Sequence, residues 1–229
     1  MKAERPVGPP IDATPAQAPA PVVLGGRFGR VEKLDRIRHG AALWDAVRTH
    51  DEVWTYMAYG PFADADAFLG WLDQRARLSD PFSCAIVDAS GRALGIATLM
   101  AIRPDMRVIE VGNIVLSPAL QRTPLATEAQ YLLACHAFET LRYRRYEWKC
   151  DALNAASRRA ALRLGFTFEG IFRQHMIVKG RSRDTAWYAM LDADWPVRKR
   201  AFERWLAPEN FDAAGRQRER LGDLINRAG

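Results

Sequence analysis

Asn154-Ala-Ala-Ser157-Arg-Arg-Ala-Ala-Leu-Arg-Leu-Gly165-Phe166 reads as one helix with its punctuation at both ends. Asn154 has the short side-chain oxygen that caps a helix N-terminus, Ala155 to Leu164 supplies the helix, and Gly165 stands where a helix ends in a left-handed residue. Tyr146 to Cys150 before it and Phe166 to Val178 after it read as strands. A strand, a helix and a strand therefore follow one another here, and the fold class is decided by what surrounds them.

Toward the C-terminus, Lys179-Gly-Arg-Ser-Arg-Asp184 reads as a hairpin turn into a strand from Thr185 to Leu191. From Asp194 onward the chain is helical and basic, with Trp195, Phe202 and Trp205 as apolar anchors. Toward the N-terminus, a helix is predicted from Pro124 to Leu141, because Leu125, Ala129, Leu132, Leu133, His136 and Ala137 recur at helical spacing. Strands are predicted at Arg107 to Leu116, Leu94 to Ala101, Ser83 to Asp88 and Arg27 to Asp35, and helices at Ala65 to Leu78 and Ile37 to Val47. Hairpins with helices inserted late imply an α/β (α+β) fold with a mixed sheet. Residues 1–26 hold six of the thirteen prolines and are expected to be a poorly ordered arm.

The 229 residues, 48% of them hydrophobic, suffice for a sizeable core. No stretch approaches the roughly 18–20 apolar residues of a membrane span, and the start lacks a secretory apolar run, so the expected location is the cytoplasm, with no membrane partner. Cys84, Cys135 and Cys150 show no ligand spacing, and no metal is expected. A net charge of +6 would attract polyanions, but the arginines are scattered, as on solvated faces, and nucleic acid is not the expected partner.

On the element order and on Asn154–Phe166, residues 27–195 resemble the GNAT superfamily of N-acetyltransferases; Gly180-Arg-Ser-Arg-Asp184 brings the resemblance closest to the ribosomal-protein alanine N-acetyltransferase branch. The resemblance implies a mostly antiparallel sheet of about seven strands flanked by helices, with the fourth and fifth strands (Arg107 to Leu116 and Tyr146 to Cys150) splayed. It also implies acetyl-CoA as cosubstrate, an acetyltransferase domain over 27–195, and a basic helical extension over 196–229.

The turn Gln121-Arg-Thr-Pro-Leu-Ala126 resembles the family's pyrophosphate loop, and the first turn of a helix has free N–H groups and a partial positive charge that suit phosphate. Pro124 replaces the central glycine and removes one N–H donor, while Thr123 as N-cap and Pro124 behind it favour the helix. Gln121, Arg122, Thr123, Leu125, Ala126 and Thr127 are thus the expected phosphate-side contacts. Val115 and Leu116 are expected to pair through backbone with the pantetheine arm and polarise the thioester oxygen. Asn154 and Ser157, one turn apart, would reach the arm or the emerging thiol.

The implied acceptor is a primary amine, on a small molecule or a peptide. Because an alkyl ammonium has a pKa near ~10.4, something must take its proton. Glu110 is the one carboxylate in the apolar run Val108-Ile-Glu-Val-Gly-Asn-Ile-Val-Leu116; burial would raise its pKa toward that of a general base, and the resemblance places a base on this strand. Asn113 is the alternative if the register slips. The family's general-acid Tyr is replaced by Ala161, which leaves water, Tyr188 or an unassisted thiolate. Trp54, Tyr56, Tyr59 and His175 are candidates for the acceptor wall, against ordinary packing. The anchors of the C-terminal helix suit either a homodimer or its own sheet. Two other readings stay open: a non-catalytic CoA-binding or regulatory module, and an RNA-associated protein on the same fold, which steep salt dependence would reveal.

Overall fold

Residues 5–228 are described by a computed structural model. In chain order the elements are β1 (Val23–Gly25), β2 (Gly29–Lys33), α1 (Arg36–Val47), α2 (Ala65–Arg77), β3 (Phe82–Asp88), β4 (Ala93–Arg103), β5 (Val108–Leu116), α3 (Pro124–Cys135), β6 (Arg145–Asp151), α4 (Ala155–Arg163), β7 (Thr167–Val178), β8 (Arg181–Leu191), α5 (Trp195–Leu206) and α6 (Leu221–Ala228). The strands form one sheet in the order β1-β2-β3-β4-β5-β6-β8-β7. Only β5 and β6 run parallel; every other neighbouring pair is antiparallel.

Side-chain alternation fills two cores, one on each face. Ala85, Val87 and Ile96 meet Leu43, Val47, Phe68 and Leu72 of α1 and α2. Ile86, Ala97, Ile109, Tyr146 and Trp148 meet the face covered by α3, α4 and the C-terminal helices. Asp35 and Asp64 cap α1 and α2 by accepting from the N–H groups of Arg38 and Ala67, each offsetting a lost intrahelical bond. Past Cys135 the helical path continues as a wider π turn over His136–Thr140, where Leu141 N–H reaches back five residues to His136 O at 2.9 Å.

Two expectations are corrected and one open choice is resolved. First, residues 1–26 do not form a wholly unpaired arm. β1 pairs with β2, the N–H groups of Ala16 and Gln17 donate to Pro104 O and Leu141 O at 3.1 and 2.9 Å, and Ala16 is buried. A proline-rich segment cannot form a core of its own, but it can lie along an existing one wherever a few N–H groups remain. This adds an eighth strand to the seven expected. Residues 1–4 lie outside the described ones. Second, the last hairpin turn is only Lys179-Gly180, both at positive φ (49° and 71°), the geometry of a two-residue turn; Arg181 to Asp184 already belong to β8. Of the two roles left open for the C-terminal anchors, packing within the chain is the one seen: Trp195, Phe202 and Trp205 are buried, Trp195 stacking on Phe138 at 5.2 Å.

The β1–β2 turn hangs on one buried carboxylate. Glu128 of α3, 3% exposed, accepts from the N–H groups of Arg27 at 2.6 Å and Phe28 at 2.8 Å. Charge-assisted bonds of this kind contribute roughly 1.5–3 kcal/mol. Glu128→Ala is expected to cost about 2–3 kcal/mol by denaturant unfolding, with the slope against denaturant unchanged.

The sheet is pried open at its centre. β5 and β6 pair only through Val108↔Arg145, Ile109↔Tyr146 and Glu110↔Glu147. Beyond Glu110 they diverge, as expected of the fourth and fifth strands, and leave a wedge at the C-terminal end of both.

Candidate active site

The wedge starts where β5 breaks its own pleat. Thr98 pairs with Gly112 and Ile96 with Val115, so Asn113 and Ile114 stand opposite Ala97 alone. This is a β-bulge. Asn113 takes φ 48°, a left-handed conformation that asparagine tolerates better than most side chains. The bulge turns Ile114 and Leu116 into the wedge, while Val115 stays in the core beneath α1 and α2.

Two cavities share the wall made by Ile114 and Trp148. The first, about 570 Å³, lies at the N-terminus of α3. Arg122, Thr123, Ala126 and Thr127 line it, together with Gln130 and Arg163, which were not foreseen. Thr123 caps α3, its Oγ1 accepting from Ala126 N–H at 3.2 Å and donating to Leu120 O at 2.7 Å. Since Pro124 has no N–H, two early helical donors are already unavailable to a ligand. Positive charge stands in their place. Arg163 Nη1 donates to Thr127 Oγ1 at 3.1 Å, its guanidinium lies 5.3 Å from the Trp205 ring, and among the described residues neither Arg122 nor Arg163 has a carboxylate partner. The Nε2 of Gln130 is buried and finds no acceptor there.

The far side of this cavity comes from the last turn of α5 and the chain beyond it. Trp205, Phe211, Arg216 and Gln217 line it. Trp205 Nε1 donates to Gln217 Oε1 at 2.7 Å, and Phe211 bridges to Gln217. Three expected contacts stay outside. Leu125 is buried against the core, Val115 likewise, and Gln121 turns back to donate to Leu116 O at 3.0 Å.

The second cavity, about 430 Å³, opens on the other side of the shared wall. Glu110, Asn113, Tyr56, Asn154, Ser157 and His175 all line it. Asn154 Oδ1 caps α4 through Ser157 N–H at 3.0 Å, and Ser157 Oγ accepts from Trp148 Nε1 at 3.0 Å, which fixes the shared wall. Tyr56 donates to Leu153 O at 3.3 Å. His175 is aimed by a second bulge, where Gln174 at φ 50° donates its N–H to Asp184 Oδ1 at 2.7 Å and His175 Nδ1 meets Thr185 Oγ1 at 3.0 Å.

Three expected residues are elsewhere. Trp54 is buried in an aromatic cluster with Phe62, Phe68 and Trp71, and Tyr59 packs on Trp71 at 4.7 Å. Tyr188 pairs with Trp148 and so faces the α3 core, where its hydroxyl accepts from Arg158 Nε at 3.2 Å. Its neighbour Trp187 takes the cavity side.

Electrostatics single out Glu110. It is 6% exposed, and its Oε2 accepts from Lys149 Nζ at 2.7 Å; Oε1 has no donor among the described residues. Burial pushes its carboxyl above the usual range, and the charge and hydrogen bond of Lys149 only partly oppose this. Glu147 receives the same lysine at 2.7 Å. There burial is outweighed by hydrogen bonds from Arg145 and Lys149, which hold that carboxyl below its ordinary value. Of two carboxylates on one lysine, Glu147 is held as the anion and Glu110 is left able to take a proton. Lys149 Nζ also lies 4.1 Å from the Trp187 ring. The charges of Arg145, Glu147, Lys149 and Asp151 share one face of β6 by strand alternation. That period-two pattern was visible in the sequence and would have pointed to Lys149.

Among the described residues no helix is long and apolar enough to cross a membrane, and no group of three or more metal-type side chains gathers.

The model of the acetyltransferase (GNAT) domain family matches residues 33–167. A GCN5-related N-acetyltransferase from Brucella melitensis is similar at 46% identity and a TM-score of 0.91, over 94% of this chain and 99% of that one. A probable acetyltransferase (GNAT family) from Chromobacterium violaceum is similar at 41% identity and a TM-score of 0.79, over 86% of this chain and 100% of that one. None of the curated proteins matches the sequence.

Proposed function

This chain belongs to the GNAT acetyltransferase family, and from that premise we propose that it transfers the acetyl group of acetyl-CoA to a primary amine in the cytoplasm. The observation that carries the proposal is the buried, half-free carboxyl of Glu110 at the apex of a wedge whose other side is cationic.

The first cavity suits the CoA moiety. It offers guanidinium groups without carboxylate partners and a buried amide N–H without an acceptor, and both call for a phosphate or carbonyl oxygen. Arg122, Arg163 and the α3 N-terminus would hold phosphates, with charge replacing the donor that Pro124 removes. The C-terminal residues Trp205, Phe211 and Gln217 would close over the ligand. When bound, acetyl-CoA supplies an activated acyl carbon and a thiolate leaving group.

The chain's residues do the rest. The amine enters the second cavity, Glu110 Oε1 takes its proton directly or through one water, and the nitrogen bonds to the acyl carbon as the C–S bond breaks. Backbone donors released by the Asn113–Ile114 bulge polarise the carbonyl. Asn154 and Ser157 line the place where the thiol emerges; with Tyr188 turned away, the thiolate leaves unassisted or through water. The resemblance of Gly180-Arg-Ser-Arg-Asp184 to ribosomal-protein alanine N-acetyltransferases puts a peptide N-terminus beside small molecules as acceptor.

Calorimetric titration with acetyl-CoA tests the donor half. Arg163→Met is expected to raise the Kd by about 10-fold or more, the worth of one charged hydrogen bond to phosphate, with thermal stability within about ±0.5 kcal/mol of the parent. No binding by the parent protein would refute the assignment.

A further inference from the structure

Beside Glu110, the second cavity carries donors that the chain itself leaves unanswered. Arg183 Nε and Trp187 Nε1 are both buried, both belong to residues lining this cavity, and neither finds an acceptor among the described residues. Arg183 forms no ion pair there either: Glu110 and Glu147 are taken by Lys149, Glu169 by Arg145, and Asp151 Oδ1 accepts from Leu153 N–H at 2.8 Å. A half-buried guanidinium that makes no direct ion pair and meets Glu110 only through space is costly unless a ligand supplies an anion. The Arg183 fork matches a carboxylate, and the indole N–H adds a third donor. Around these donors the wall is apolar: Met57, Met100 and Met176, with the Trp187 ring held flat against Phe172 at 4.4 Å.

We propose that the acceptor amine is a free amino acid with an apolar side chain, its carboxylate held by Arg183 and Trp187, its amino group presented to Glu110 and its side chain laid against the methionines and Trp187. The inference rests on the acetyl-transfer reading and names the substrate class for that same site. A carboxylate on Arg183 keeps the amine a short distance away, on the Glu110 side of the cavity. A peptide N-terminus lacks that charge, since its first carboxyl is an amide; a simple alkyl amine lacks the group altogether. Anchoring by the charged end and sorting by the apolar end is how a cavity of this size discriminates.

The test compares phenylalanine, leucine and methionine with their carboxamides and with the corresponding decarboxylated amines, following thiol release from acetyl-CoA, with acetyl-CoA binding measured in parallel. The parent protein is expected to prefer a free acid over its amide and its amine by about 10–100-fold in kcat/KM, the range for one or two charge-assisted bonds. Arg183→Gln is expected to raise KM for the free acid and abolish the preference, leaving KM for acetyl-CoA unchanged; Arg183→Lys is expected to restore part of it. Amides or amines used as well as the free acids would overturn the inference and leave the acetyl-transfer reading standing. Bound acetyl-CoA with transfer to none of these, nor to any other amine, would overturn both.

Discussion

Glu110→Gln is expected to lower kcat by about 10²–10⁴-fold, the contribution of one positioned proton acceptor, while the Kd for acetyl-CoA stays within about twofold. The amide has nearly the shape of the carboxylate and can still accept from Lys149, so packing and the neighbouring ion pair survive; what it loses is the ability to take a proton. The pH profile carries a second expectation. Burial raises the Glu110 carboxyl above the ordinary carboxylate range, and a base works only when ionised. Activity of the parent protein is therefore lost as pH falls through that raised pKa, at a higher pH than an exposed Glu would give, and this acidic limb is expected to vanish in the Gln variant. Steady-state rates across pH, with calorimetry at one pH, check both. A Gln variant that keeps full kcat would remove Glu110 from the chemistry.

Lys149→Met is expected to have the largest effect on stability, about 3 kcal/mol or more, because it strips the cation from two buried carboxylates at once. Glu147 keeps Arg145 at 2.7 Å. Glu110 keeps no hydrogen-bond donor among the described residues, only the through-space charge of Arg183. Its carboxyl, already raised, then rises further, so the folded state of the variant binds that proton more tightly than the unfolded chain does. The sign follows from linkage: a raised carboxyl favours the folded state below its unfolded pKa, and that advantage is lost as pH rises through the folded one. The variant's deficit against the parent is expected to be largest at neutral and alkaline pH and to shrink in mild acid, with its activity limb displaced to higher pH. Denaturant midpoints over a pH series read the first, and kcat/KM over the same series reads the second. An equal deficit at every pH would mean that Lys149 contributes only packing.

Much of the central sheet was legible in the sequence because its signals are local. The cap at Asn154, the glycine stop at Gly165 and the apolar alternation of the strands each depend on residues within one or two turns. The start of α3 was legible through Thr123 and Pro124, and the burial of Glu110 through its place as a lone acid in an apolar strand. What was missed depends on parity or on distant chain. Tyr188 was chosen for its hydroxyl, but strand alternation gives the cavity to Trp187, and the apolar series Ala186, Tyr188, Met190 already pointed Tyr188 to the core. Trp54 and Tyr59 look like a pocket wall in sequence, yet α2 folds over them and makes them core. The β1 strand was obscured by the prolines around it. No local pattern says that Trp205, Phe211 and Gln217, near the end of the chain, return to close a cavity begun at Arg122; that contact exists only once α5 has packed on α3.

Incubating the protein with acetyl-CoA labelled in its acetyl group, together with free amino acids and other primary amines, and following the label by mass spectrometry while thiol release is counted, tests acetyl transfer most directly. Label is expected on the amine nitrogen, one amide formed per thiol released, at a rate that Glu110→Gln lowers by about 10²–10⁴-fold. Acetyl-CoA bound without any labelled amide, or thiol released without amide formation, would contradict it and leave a CoA-binding module in place of an enzyme.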